Sequence, residues 1–179
     1  FQTQVHLLYL PEHLCGLSRP GFFGGVATVV TKLFNIVRPH VAVFGEKDYQ
    51  QLLVVRQLAQ DLNLPVEVVA GPIIREPDGL AMSSRNTYLD ATQRQSARCL
   101  SQSLTMAQKM VDLGAREAEA IVDQAQSLIE AAPQTRIDYI RLCDPLTLEE
   151  VSAIREPTRM LLAVWVGRTR LIDNQLLTL

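Results

Sequence analysis

The sequence predicts an α/β fold in which half of a parallel-sheet domain is followed by a small α+β domain with an antiparallel sheet. Up to residue 75, short apolar runs alternate with amphipathic helical patterns, which is typical of strands joined by crossover helices. Beyond residue 75, two helical patterns precede three strand-like runs, which is the order of an α+β domain. We therefore predict two domains, 1–75 and 76–179.

The elements of the first domain follow from apolar spacing and from helix-breaking residues. Apolar side chains recur at helical spacing over 23–37, and Pro39 ends that helix. A second helix begins after Gly45. The predicted strands are 5–10, 41–44 and 66–69. The run 41–44 is apolar throughout, as in a buried parallel strand, and 66–69 is expected to be another short buried strand. A doubly wound sheet needs more strands than these, so 1–75 is expected to be the second half of such a domain.

The second domain is predicted to contain two helices and three strands. Apolar residues recur at 3.6-residue spacing over 91–113 and 117–131, on either side of Gly114. Strands are predicted at 137–142, 160–166 and 170–172. We also expect an ion pair between Arg170 and Asp173 to support this domain.

The composition excludes several classes of partner. The chain is 47% apolar and 20% charged with a formal net charge of −2, so it is expected to be soluble and to lack the basic surface that nucleic acids and anionic membranes favour. No apolar run approaches the roughly 20 residues that cross a bilayer. Cys15, Cys99 and Cys143 are too widely spaced for a disulfide framework or a zinc site. We expect reduced thiols, a cytoplasmic location and no metal bound by protein side chains.

Residues 79–86, Gly-Leu-Ala-Met-Ser-Ser-Arg-Asn, have the composition of a phosphate-binding loop. The hydroxyls of Ser83 and Ser84 and the neighbouring backbone N–H groups are donors for phosphate oxygens. The Arg85 guanidinium adds charge-assisted contacts. The same residues also suit an ordinary polar turn ahead of a helix, so both interpretations stay open for this loop taken alone.

A second segment, 45–51 (Gly-Glu-Lys-Asp-Tyr-Gln-Gln), lies where a predicted parallel strand gives way to a helix. Ligands of open α/β sheets bind beyond the carboxyl ends of the strands, where helix N-terminal amides favour anions. Gly45 permits close approach to the backbone, Lys47 offers a positive charge to a phosphate, and Asp48 suits sugar hydroxyls. Gln51 suits a hydroxyl or carboxylate of a second ligand. A solvated first helical turn is the alternative interpretation.

Together the two segments resemble the pantothenate synthetase family of ATP-dependent ligases, which join pantoate to β-alanine. The matching stretches are 45–52, 78–86 and 169–174, together with Arg19-Pro20 and Gly25-Val26, in the expected order along almost the whole chain. The resemblance implies that 1–75 is the second half of a Rossmann-like nucleotide-binding domain of the class I synthetase and nucleotidyltransferase type. It implies that 76–179 is a lid domain that closes about a hinge near residue 75.

The resemblance also implies a role for each matching position. The implied ATP-binding residues are Gly45, Glu46, Lys47, Asp48, Ile74, Met82, Ser83, Ser84 and Arg85. Gly45 and Asp48 match the pair that holds the ribose, and Ile74 matches the residue whose backbone meets the adenine. Residues 82–85 match this family's version of the KMSKS loop. The implied catalytic residues are Lys47, Ser83, Ser84 and Arg85, and the implied pantoate-binding residues are Gln51 and Arg19.

The implied reaction activates a carboxylic acid in two steps. Pantoate attacks the α-phosphorus of ATP to give pantoyl adenylate and pyrophosphate, and β-alanine then displaces AMP to form pantothenate. The first step needs neutralisation of the triphosphate charge and in-line positioning, with Mg²⁺ bridging phosphates, rather than a protein nucleophile. The resemblance further implies a homodimer in the full-length protein.

The chain departs from the family pattern at two places. The family's early His-x-Gly-His signature is absent, because His6, His13 and His40 belong to no such motif. The chain is therefore expected to lack the first half of the nucleotide domain and to be inactive alone. Phe22 and Gly24 stand where the family usually has histidine and arginine, a change that bears on substrate affinity; we favour a divergent but working homologue.

Three alternatives remain open at the level of the sequence. One is another adenylyl- or cytidylyltransferase of the same superfamily, against which Gln51 and the residues after Asp48 argue. A second is a non-catalytic nucleotide-binding fragment. A third is that the chain is part of a fusion protein, since this ligase is fused in some bacteria to a downstream cytidylate kinase. The 179 residues contain no Gly-x-x-x-x-Gly-Lys-Ser/Thr phosphate loop, so kinase activity cannot be assigned to them.

Overall fold

A computed structural model describes all residues from Phe1 to Leu179 and divides them into two compact units, Phe1–Pro72 and Ile73–Leu179. The first unit contains α1 (Cys15–Ser18), α2 (Phe22–Val37), β1 (Val41–Gly45), α3 (Tyr49–Asp61) and β2 (Glu67–Gly71). Short 3-10 helices lie at Leu10–Glu12 and Glu46–Asp48. None of the chain's helices combines the length and the apolar character needed to span a bilayer.

The two strands of the first unit pair in parallel. Their register runs from Val41 opposite Glu67 to Gly45 opposite Gly71, so both strands end at the same edge of the sheet. Helices α2 and α3 pack on one face through a core that includes Val30, Phe34 and Leu58. The predicted α/β class with a parallel sheet is confirmed.

The prediction that strand 41–44 is buried on both faces is wrong. Ala42 and Phe44 pack against the core, with the Phe44 ring edge-on to Phe34 at a centroid distance of 6.4 Å. On the opposite face, Val41 and Val43 are 50% and 68% exposed. Within this unit the helices cover only one side of the sheet, and an apolar run alone does not show how many faces are covered.

The strand predicted at 5–10 is also absent. The backbone N–H of Val5 donates to the Thr28 hydroxyl at 2.9 Å, so the segment lies along α2 instead of joining the sheet. Pro11 then occupies the start of the 3-10 helix Leu10–Glu12, since its fixed φ suits the first positions of a helix.

The second unit contains three helices and an antiparallel sheet. The helices are α4 (Ala91–Ala97), α5 (Cys99–Asp112) and α6 (Ala118–Glu130). The strands are β3 (Thr135–Cys143), β4 (Thr158–Val166) and β5 (Thr169–Leu177), with β4 in the centre. The helices pack on the sheet around a core that includes Leu104, Ile121 and Leu162, all fully buried. The predicted small antiparallel domain is confirmed, with strands longer than the sequence indicated.

The single helix predicted over 91–113 is two helices that meet at Arg98. The Arg98 N–H donates to the Gln95 carbonyl, three residues back, at 3.3 Å, so the turn is tighter than an α-helix. Two residues earlier, the Ser96 hydroxyl donates to the Thr92 carbonyl at 3.2 Å. This back-bond competes with the helical hydrogen bonds and bends helices, which is a local reason for the break.

Candidate functional site

The residues singled out from the sequence are divided between the two units, and each group is described within its own unit. The first unit holds Arg19, Gly45, Glu46, Lys47, Asp48 and Gln51, and the second holds Ile74, Met82, Ser83, Ser84 and Arg85.

In the first unit, the segment after β1 forms a compact corner at the carboxyl edge of the parallel sheet. Gly45 ends β1, the 3-10 helix Glu46–Asp48 follows without a gap, and α3 begins at Tyr49. The Lys47 ammonium lies 3.7 Å from the Asp48 carboxylate, with side-chain exposures of 18% and 52%. Asp48 makes no side-chain capping bond to α3, so the first amides of this helix are not capped by it. The Lys47 ammonium and the start of α3 both favour an anion at this corner, and the Asp48 carboxylate beside them suits hydroxyl donors.

Gln50, which the sequence motifs did not single out, is the best-connected polar side chain near this corner. It is 5% exposed and accepts a hydrogen bond from the Cys15 N–H at 3.0 Å. Its amide donates to the carbonyls of Leu10 and His13 at 2.8 and 2.7 Å. These bonds fasten residues 10–15 to the start of α3. The sequence contains one indication that Gln50 is buried. Gln50 lies four residues before Val54, so the two share a helix face, and Val54 is buried.

Replacing Gln50 by leucine is expected to release residues 10–15 from α3. The substitution leaves one part-buried N–H and two part-buried carbonyls without their partner, at a total cost of about 2–3 kcal/mol of unfolding free energy. Hydrogen-exchange mass spectrometry should show faster exchange over 10–18 in this variant. The control is Gln60→Leu, an exposed position on the same helix. Unchanged protection in the Gln50 variant would show that the three bonds do not hold the segment.

Arg19 is exposed and lies over an aromatic ring. Its guanidinium carbon is 3.6 Å from the centroid of Phe22, one of the two positions expected to depart from the family pattern. The other such position, Gly24, also has a close neighbour, because a Cβ there would lie 2.8 Å from the His6 ring nitrogen Nδ1. The structure therefore places Phe22 beneath Arg19 and the His6 imidazole beside Gly24.

In the second unit, Ile74 and Met82 face each other across a small hairpin. The Met82 N–H donates to the Ile74 carbonyl and the Glu76 N–H donates to the Leu80 carbonyl, both at 2.8 Å. Gly79 closes the turn at φ +91°, a conformation that favours glycine, and its N–H donates to the Glu76 carbonyl. The hairpin brings Ile74 to the start of the loop 82–85, and both Ile74 and Met82 are more than half exposed.

The loop 82–85 presents its polar side chains to solvent. The Ser83 hydroxyl accepts the Arg85 N–H at 3.2 Å and so caps the 3-10 helix Ser84–Tyr88. Ser84 and Arg85 are exposed, and none of the chain's ion pairs involves Arg85. An uncommitted guanidinium beside hydroxyls and amides suits a phosphate ligand.

The base of this loop is a network of charged and amide groups. Asn86 is 8% exposed and its Nδ2 donates to Glu76 at 2.7 Å and to the Ala81 carbonyl at 3.1 Å. Arg94 donates to Glu76 at 2.6 Å through Nη2 and to Asp78 at 2.8 Å through Nε. None of these partners is adjacent in sequence, so no local pattern indicates the network.

The network shifts the titration of its members. Hydrogen bonds from Arg94 and then Asn86 lower the pKa of Glu76, and a hydrogen bond from Arg94 lowers the pKa of Asp78. The two carboxylates raise the pKa of Arg94. Because the carboxyl pKa values are lower in the folded chain, the network stabilises the fold above their ordinary values of 4.5 and 3.8. That stabilisation is lost as the pH falls through the lowered values.

A second ion pair, between Arg75 and Asp173, lies next to the hairpin. The Arg75 guanidinium is bidentate to Asp173 at 2.6 and 3.0 Å, and the Asp173 side chain is 1% exposed. The predicted pair of Arg170 with Asp173 is wrong, since Arg170 instead binds Asp138 at 2.6 Å. Residues three apart on a strand point to opposite faces of the sheet, which is why the sequence neighbours do not meet.

The remaining reactive groups do not form a site. No group of three or more histidine, cysteine, aspartate or glutamate side chains is arranged to hold a metal ion. None of the three cysteines forms a disulfide, and burial raises the pKa of Cys99 and of Cys143 to about 12. These two thiols are therefore protonated at neutral pH.

Comparison with known proteins identifies the family. The chain matches the Pantoate-beta-alanine ligase family over residues 1–176. The chain belongs to this ligase family. The structure of a family member, the pantothenate synthetase from Thermus thermophilus, matches 100% of this chain and 65% of its own with a TM-score of 0.96 and 41% sequence identity.

Two further relatives define the extent of the match. The pantothenate synthetase of Desulfatibacillum aliphaticivorans is 60% identical over 177 residues, which are 99% of this chain and 63% of that protein. The pantoate-beta-alanine ligase from Francisella tularensis, solved in complex with beta-gamma ATP and beta-alanine, matches 97% of this chain and 58% of its own with a TM-score of 0.74 and 30% identity. The chain thus spans about three fifths of the length of these pantoate-β-alanine ligase relatives.

Proposed function

We propose that this chain supplies the ATP-binding and pantoate-binding residues of a pantothenate synthetase. The enzyme condenses pantoate with β-alanine at the expense of ATP, giving pantothenate, AMP and pyrophosphate through pantoyl adenylate. The observation that carries the proposal is the match at a TM-score of 0.74 to the Francisella tularensis ligase, a family member solved with beta-gamma ATP and beta-alanine. The exposed polar tip at 82–85 supports it.

In this proposal the first unit is the second half of a Rossmann-like domain and the second unit is the lid. Gly45 and Asp48 hold the ribose, Glu46 lines the nucleotide site, and Lys47 neutralises phosphate charge. The amides at the start of α3, which the Asp48 side chain does not cap, support this assignment because helix N-terminal amides favour anions. Gln51, half-buried on the first turns of α3, and the exposed Arg19 bind the pantoate carboxylate and hydroxyls.

The second unit binds the rest of the nucleotide. The Ile74 backbone contacts the adenine, and Met82, Ser83, Ser84 and Arg85 bind the phosphates. Their support is that the hairpin holds Ile74 and the loop next to each other with the polar groups outward. Magnesium would arrive with ATP as part of the substrate and would help to neutralise the charge of the triphosphate.

These residues supply charge and position, and the substrates supply the reacting groups. A pantoate carboxylate is already ionised at neutral pH and needs no general base to attack the α-phosphorus of ATP. Lys47, Ser83, Ser84 and Arg85 stabilise the charge that moves onto the leaving pyrophosphate. The amine of β-alanine then attacks the mixed anhydride and AMP leaves.

We expect the isolated 179 residues to bind ATP without completing the reaction. The chain's three histidines form no His-x-Gly-His motif, and that motif stabilises the transferring group in the family. We also propose that the full-length protein is a cytoplasmic homodimer.

The test is a hybrid enzyme in which this chain replaces the matched segment of the Desulfatibacillum aliphaticivorans synthetase. It should exchange labelled pyrophosphate into ATP only when pantoate is present, at a rate within about tenfold of the parent, which is a difference of about 1.4 kcal/mol in the barrier. Exchange supported by another acid would point to a different adenylyltransferase. A folded hybrid that binds no ATP would overturn the proposal.

A further inference from the structure

We propose that Glu76, Asn86 and Arg94 are positioning residues that hold the loop 82–85 in the shape that receives the nucleotide phosphates. This inference rests on the proposed function, because it assigns the loop's ligand to ATP. The three residues touch no phosphate in this scheme and act through the backbone of the loop.

Asn86 closes the base of the loop. Its Nδ2 donates to the Ala81 carbonyl at 3.1 Å, which joins the residue before the loop to the residue after it. The Asn86 N–H also donates to the Ser83 carbonyl at 3.0 Å. Ala81 and Asn86 are 3% and 8% exposed, whereas Met82, Ser84 and Arg85 are exposed. The loop thus has a buried base and a solvent-facing tip.

Glu76 connects this base to the hairpin and to α4. One carboxylate oxygen accepts from Asn86 at 2.7 Å and the other from Arg94 at 2.6 Å, so both oxygens are used. The orientation of the Asn86 amide follows from its partners, since Glu76 and the Ala81 carbonyl are both acceptors. Its Oδ1 is buried and has no hydrogen-bond partner in the chain. The amide is therefore held in place by its two donated bonds.

Arg94 fixes the network to a rigid element. Asp90 and Gln93 form a capping box that starts α4, and Arg94 is the middle residue of this seven-residue helix. Its guanidinium spans Glu76 and Asp78, one on each side of Pro77, so it binds two residues of the hairpin turn. Arg94 is paired with these two carboxylates, whereas Arg85 is in none of the chain's ion pairs and is the cation available to a phosphate at this loop.

A purely electrostatic role of Glu76 and a positioning role predict opposite changes in ATP affinity for the substitution Glu76→Gln. The substitution removes a negative charge close to the loop, and by electrostatics alone the binding of an anionic nucleotide would become tighter. Arg94 and Asn86 donate to different oxygens of Glu76, and a glutamine replaces one of these oxygens with an NH₂ donor, so one of the two partners loses its acceptor. If the network positions the loop, binding of ATP becomes weaker instead.

The experiment measures binding of ATP with magnesium, and of AMP, to the full 179-residue chain by calorimetry at neutral pH. We expect Glu76→Gln and Arg94→Lys each to weaken ATP binding by about tenfold, the value of one charge-assisted hydrogen bond, and to change AMP binding little. The AMP comparison matters because AMP lacks the β- and γ-phosphates, and general loss of structure would weaken both ligands. Glu119→Gln, an exposed position on α6, is the control with the same change of charge.

Arg85→Met, which removes a direct contact, separates the possible outcomes. If this variant weakens ATP binding but Glu76→Gln and Arg94→Lys leave it unchanged or tighter, the positioning role is overturned and the proposed function stands. If the unsubstituted chain binds no ATP, both are overturned. Fluorescence of Trp165, the chain's single tryptophan, verifies that each variant remains folded in this unit.

Discussion

Replacing Lys47 by methionine is expected to lower pantoate-dependent ATP–pyrophosphate exchange in the hybrid enzyme by about 100- to 1,000-fold, as for loss of one preorganised charge-stabilising group. Lys47 lies two residues after the end of β1, with a side chain only 18% exposed, so its ammonium is confined near the carboxyl edge of the sheet. Methionine keeps the length of the aliphatic stem and removes the charge. The effect should therefore appear mainly in kcat, because charge develops on the leaving pyrophosphate in the transition state.

The matched control is Lys32→Met, which removes an exposed lysine from α2 in the same unit. Its exchange rate should equal that of the parent hybrid. Equal rates for both variants would show that Lys47 does not stabilise the triphosphate, and the assignment of the corner after β1 would then have to be withdrawn.

The largest effect on stability is expected from Arg75→Met. This substitution leaves the Asp173 carboxylate, which is 1% exposed, without its bidentate partner. Breaking a buried ion pair by removing one member costs about 3–5 kcal/mol, and we expect about 3 kcal/mol because Arg75 itself is partly exposed. Urea unfolding followed by Trp165 fluorescence measures the change for the second unit, since Trp165 lies in β4.

Two comparisons assign this loss to the buried charge. Arg141→Met breaks the pair with Glu150, whose members are 45% and 65% exposed, and should cost less than about 1 kcal/mol. Combining Arg75→Met with Asp173→Asn removes the unpaired charge and should restore more than half of the lost stability. If the double variant is no more stable than Arg75→Met, the loss comes from packing of the arginine stem and not from the carboxylate.

The sequence predicted the elements whose signals are local. The apolar spacing over 23–37 and 117–131 placed α2 and α6 to within one residue at each end. The parallel pairing of β1 and β2 also followed from their apolar runs and the helix between them. Such patterns are visible because a helix or strand repeats its own contacts along the chain.

The predictions that failed depended on contacts between distant segments. Residues 5–10 have the composition of a strand, but their backbone bonds to the Thr28 side chain. The pairing of Arg170 was decided by the face of the strand and not by the nearest acidic residue in the sequence. The network around Arg94 was missed for the same reason, because the partners of Arg94 are 16 and 18 residues away in the sequence. The motif residues at 82–85 were found because they are contiguous, whereas the groups that hold them are not.

Two glycines that look alike in the sequence are under different constraints. Gly79 needs its backbone angle of +91°, so the fold itself requires glycine there. Gly45 has φ −69° and ψ 132°, which any residue adopts, and a Cβ at this position would meet no protein atom within 4 Å. A methyl group at Gly45 would therefore cost the fold little stability. If glycine is retained here during evolution, the fold does not account for it, and the selective reason is a molecule that approaches the backbone from outside.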